Sequence, residues 1–115
     1  MNPYDKAHEL ARALKASDEL AALAESRQML GQDPEGARLL NAFREKQMEL
    51  SAFRMQGTEP GTDLKEEVQR LASEIEARPH LRRCVEAENR AGQLMADINR
   101  IIAGPFEELY RSGQG

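Results

Sequence analysis

Tryptophan is absent from this 115-residue chain, and aromatic residues make up only 4% of it. A core must therefore be assembled mainly from aliphatic side chains. β-Branched residues are also few, which argues against a sheet. A single cysteine, Cys84, excludes an intrachain disulfide framework and suits a reducing cytoplasm. Basic charge is not in excess: the formal net charge is −4, so no electrostatic footprint for nucleic acid is present. No stretch approaches the ~20 apolar residues that span a bilayer, and the opening MNPYDKAHEL lacks an apolar signal core. Catalytic signatures are missing as well. The chain has no Gly-x-Ser-x-Gly, no nucleotide-binding glycine loop and no Cys-x-x-Cys pair.

What is abundant is Ala, Leu, Glu, Arg and Gln, all good helix formers. The expected class is all-α: a bundle of about five helices plus a short C-terminal helix, with long antiparallel helices in a hairpin. By length it is one domain, residues 1–111, with 112–115 as a disordered tail. Asn2-Pro3 opens the first helix as cap and first helical residue, and Tyr4, Ala7, Leu10, Ala11 and Leu14 recur at helical spacing. Ser17-Asp18 caps a second helix that runs to about Leu30, with Gly31 as its stop. Asp33-Pro34 repeats the signal and begins a helix through about Gln56, about 34 Å long at the usual rise.

That third helix carries two apolar stripes. Leu39, Phe43, Leu50 and Phe53 form one, and Met48, Ala52 and Met55 form another on nearly the opposite side. A helix apolar on two faces is covered on two faces, one cover from its own chain and the other from a second subunit. The plainer alternative is that Met48 and Met55 are simply exposed. Gly57-Thr58-Glu59-Pro60-Gly61 is a turn, and Asp63 with Glu66 reads as a capping arrangement for the next helix. Leu64, Val68, Leu71 and Ile75 give that helix a narrow seam. Arg78-Pro79 then either restarts or kinks the chain.

Pro79–Ala103 is the segment the others should cover. Cys84, Met95, Ile98 and Ile102 centre its apolar face, flanked by Leu81, Ala91, Leu94 and Ile101. Gly104-Pro105 is expected to end it, with Phe106, Leu109 and Tyr110 in a short final helix. His80 and Cys84, four apart, could supply half a metal site, but they read better as an exposed first-turn residue and a small core residue. No metal or cofactor is expected. Glu88 sits inside the apolar arc, so it should be ion-paired, with Arg44 or Arg83, or face a partner. Asn99, at the edge of the same arc, invites the same two readings.

Three stretches together, NPYDKAHELARAL, FREKQMELSAFRMQGTEP and EAENRAGQLMADINRIIAGPFEELY, resemble the YlbF/YmcA/YheA-like family of small bacterial helical proteins, the YheA-like branch above all. The resemblance implies an all-α fold, self-association and a regulatory adaptor role in place of enzymatic activity. Relatives act in biofilm formation, competence and sporulation, and in complexes that influence RNA processing. The positions that match the shared pattern are Phe43, Gln47, Gln56, Gly57, Glu88, Asn99 and Pro105. The iron–sulfur cluster of some relatives requires extra cysteines and does not carry over to a chain with Cys84 alone. The expectation is a cytoplasmic, non-enzymatic homo-oligomer, most simply a dimer, that docks protein partners. Its candidate oligomer or partner surface is Phe43, Gln47, Met48, Met55, Gln56, Glu88 and Asn99. Two alternatives stand beside it: a factor that binds RNA directly, which the scattered charge disfavours, and a small enzyme using Glu88 as acid or base.

Overall fold

The computed structural model describes residues 2–114, and side chains through residue 113. Five helices account for nearly all of them: α1 (Pro3–Lys15), α2 (Asp18–Gly31), α3 (Pro34–Met55), α4 (Thr62–Glu76) and α5 (Pro79–Gln114). No strand occurs among the described residues. None of these helices is long and apolar enough to cross a membrane.

The helix starts follow from local chemistry. Asn2 accepts a hydrogen bond from the Tyr4 amide at 2.8 Å, and Ser17 Oγ accepts from the Leu20 amide at 3.2 Å. Asp33 Oδ1 accepts from the Gly36 amide at 3.0 Å. Each satisfies a donor that the first turn of a helix leaves orphaned. The fourth start differs from expectation. Helix α4 begins behind Gly61, with no side-chain cap, and Asp63 lies inside its first turn. An acid there is still favourable, but through the helix dipole and not as a cap.

The turn between α3 and α4 is a Schellman closure. Gly57 adopts φ +73°, the Thr58 amide reaches the Phe53 carbonyl at 3.0 Å, and the Gly57 amide reaches that of Arg54 at 3.1 Å. Helices α3 and α4 then run antiparallel, with Leu40 beside Ile75 in one cluster and Lys46 Nζ 3.7 Å from a Glu67 carboxylate oxygen. Helix α5 starts afresh at Pro79. The Ala77 and Arg78 amides close α4 onto Ser73 and Ile75, and the Arg82 amide bonds the Arg78 carbonyl.

The chain resolves into two compact units, 25–85 and a second made of 1–24 with 86–115. Within the first, Leu40, Ile75, Leu81 and Cys84 form the core, with Met29, Leu30, Leu39, Phe43 and Val85 packed around them. Leu81 and Cys84 are fully enclosed. Cys84 is thus a core residue, and its thiol donates to the Ser26 carbonyl at 3.8 Å.

Two expectations about α5 change. The helix does not stop at Gly104-Pro105 but continues to Gln114, absorbing the short terminal helix and most of the anticipated tail; Gly115 lies outside the described residues. Proline costs one hydrogen bond, to the Ile101 carbonyl, and clashes with the Cβ of the preceding residue. That residue is Gly104, which has no Cβ, so the α conformation survives and the helix formers beyond carry it on. The second change is that the apolar face is not covered along its length. Leu81, Cys84 and Ala87 are buried, whereas Met95, Ile101 and Ile102 are exposed.

Candidate interaction surfaces

The residues proposed from sequence as a surface fall into three settings. Phe43 is half-buried against the core, so it supports the fold from the inner side of α3. Gln47, Met48, Met55 and Gln56 lie on the exposed side of the same helix. Met48 is 73% and Met55 89% exposed, and with Gln47, Leu50 and Ala52 they line a shallow, mostly apolar depression bounded by Arg44 and Arg54. On α5, Glu88 is half-buried while Asn99 is exposed.

Helix periodicity explains the division of α3. Leu39 and Phe43 are four apart and face inward, while Met48 and Met55, seven apart, share the opposite side. Leu40, only 1% exposed, is the most enclosed residue of α3 among those described, and it lies to one side of the stripe Leu39-Phe43-Leu50-Phe53. Its signal was its place one residue beside Leu39, between the two stripes. Ser26 was missed for a different reason. Nothing in a serine's composition predicts burial, yet it is 4% exposed and its hydroxyl makes no hydrogen bond. A small side chain is what lets α2 approach Cys84 closely enough for the thiol contact.

One polar constellation stands out within residues 25–85. The Asp33 carboxylate caps α3 through the Gly36 amide and meets His80 Nε2 at 2.8 Å, tying the starts of α3 and α5 together. Arg78 lies 3.7 Å from Glu35 beside it. The Gly36 amide, and after it His80, holds the Asp33 carboxyl below its ordinary value of 3.8. Gly36 itself is dictated by packing. A Cβ there would collide with the Asp33 carboxylate and come within 2.9 Å of Leu81 Cδ2. His80 is thus directed to Asp33 and Cys84 to Ser26, so the two do not converge on one point. No cluster of three or more His, Cys, Asp or Glu able to hold a metal occurs among the described residues.

The largest exposed apolar series among the described residues is on α5, and of it Met95, Ile101 and Ile102 were expected to be covered by other helices. Ile101 and Ile102 are followed by Phe106, Leu109 and Tyr110, all more than half exposed. Tyr4 on α1 is 78% exposed. Soluble chains seldom leave so many large apolar side chains together without an occupant for the face they make.

Comparison with known proteins agrees with this architecture. Residues 4–107 match the family model described as control of competence regulator ComK, YlbF/YmcA. A UPF0342 protein of Alkalihalophilus pseudofirmus is 33% identical over 114 residues, spanning 99% of this chain and 97% of the relative. Another, from Halalkalibacterium halodurans, is 35% identical over 109 residues, 95% of this chain and 94% of the relative. Among solved structures, a protein of unknown function (DUF964) from Bacillus stearothermophilus superposes with a TM-score of 0.72 at 25% identity, covering 95% of this chain and 96% of the other. The structure of yheA from Bacillus subtilis gives 0.64 at 26% identity, over 96% of this chain and all of the other. The chain belongs to the YlbF/YmcA/YheA-like family.

Proposed function

We propose that this protein is a non-enzymatic regulatory adaptor of the cytoplasm, a homo-oligomer, most simply a dimer, that docks other proteins through its helix surfaces. The observation that carries the reading is the set of large apolar side chains left in water on two helices: Met48 and Met55 on α3, and the series from Met95 to Tyr110 on α5. Two separate faces suit two occupants, one for self-association and one for a partner. The family's description, control of the competence regulator ComK, favours regulation as the setting. The polar groups offer little to a reaction: Asp33, which meets His80, is occupied by capping a helix.

The test has two arms. Sedimentation velocity at tens of micromolar should show a species of at least twice the chain mass, and a well-folded monomer would remove the oligomer. Affinity capture from a native lysate with the wild-type chain, compared with Met48→Glu/Met55→Glu, should recover a partner that the variant loses. Recovery of the same proteins by both would remove α3 as the docking face.

A further inference from the structure

The apolar stripe on the second half of α5 has a symmetry of its own. Ala91, Met95, Ile98, Ile102, Phe106, Leu109 and Gly113 follow one another at steps of four, three, four, four, three and four residues. Counted outward from Ile102, the steps are the same in both directions. At 3.6 residues per turn all seven fall within an arc of roughly 80°. An unrelated partner places no such demand on spacing. A helix that packs against an antiparallel copy of itself does, because a two-fold axis pairs each residue with its mirror position along the stripe.

We infer that residues 91–113 of α5 pair antiparallel with the same segment of a second copy, about a two-fold axis through Ile102. This gives the self-association proposed above its surface. Ile102 packs on its counterpart, Ile98 faces Phe106, and Met95 faces Leu109, with small Ala91 and Gly113 closing the ends.

The area is right for a stable pair. Met95 is 51%, Ile102 52%, Phe106 63% and Leu109 71% exposed. With Ile101 and Tyr110 they present on the order of 800 Å², comparable to the ~800 Å² that each partner gives a standard interface. The one acidic approach, Asp97 towards Glu107 and Glu108 of the second copy, is eased because Arg100 already holds Asp97 at 2.7 Å.

The experiment combines charge and register. Ile102→Asp places two carboxylates face to face on the axis and should raise the dimer dissociation constant by about 100-fold or more. Its circular dichroism should stay that of a folded helical protein, since Ile102 lies outside the buried core. Register is read by oxidation with diamide, with the fully buried Cys84 as a silent background. Ile102→Cys should crosslink to itself. Ile98→Cys and Phe106→Cys should each crosslink poorly alone and well when mixed. A dimer that survives Ile102→Asp would overturn the surface while leaving self-association standing. Efficient self-crosslinking of Ile98→Cys would overturn the antiparallel register. A monomeric wild-type chain would overturn both.

Discussion

At the scale of single residues, Asp33 and Gly36 constrain one another at the start of α3. Asp33 caps α3 and meets His80, and its carboxyl is held below the ordinary 3.8 by the Gly36 amide first and His80 second. A carboxylate lowered on folding favours the folded state when ionised. Its contribution is complete above the unfolded value and is lost as pH falls through the depressed folded one. Asp33→Asn should therefore melt below wild type at neutral pH, and the gap should close in strong acid; a gap that persists there would mean the charge is not what matters. Gly36→Ala is expected to destabilise by about 1–3 kcal/mol, because the new methyl meets the cap and the enclosed Leu81, although alanine is the better helix former. Urea unfolding at pH 7 measures both. The cap was legible in Asp33-Pro34, since capping depends only on near neighbours. The need for glycine was not, because Leu81 is 45 residues away and no local pattern reports it.

At the scale of elements, α3 has an inner and an outer face with opposite sensitivities. Leu40→Ala should cost about 2–5 kcal/mol, since the side chain is enclosed by Ile75, Leu81 and Cys84. Met55→Ala, at 89% exposure, should stay within about 0.5 kcal/mol in the isolated chain and show its effect only on a partner. Chemical denaturation of the two variants separates these. Helix α5 supplies a further expectation. Pro105→Ala restores a donor to the Ile101 carbonyl and should raise the melting temperature, a stabilisation of up to about 3 kcal/mol. A lower melting temperature would show that the proline conformation is itself required. The two faces of α3 were readable from the 3.6-residue period. The continuation through Gly104-Pro105 was not, because a glycine before proline relieves the clash that usually ends a helix.

At the scale of the whole molecule, α2 and α5 each run through both compact units, 25–85 and the remainder. A chain that folds as one cooperative domain should give a single calorimetric transition despite that division, and two resolved peaks would contradict it. Self-association adds a second signature. A dimer makes the melting temperature rise with protein concentration, and Ile102→Asp should flatten that dependence. What the sequence by itself determined is local: the helices, the capped starts of the first three, the turn at Gly57 and the polar and apolar sides of each. Propensity, caps and periodicity act within a few residues and need no neighbour to be known. Only the tertiary structure decided which apolar face is core and which is surface. Leu81, Cys84, Met95 and Ile102 share one continuous stripe on α5, yet the first two are enclosed and the last two are in water. Burial is a property of what the rest of the chain reaches, and the series 95–110 on α5 is apolar surface that this chain does not cover.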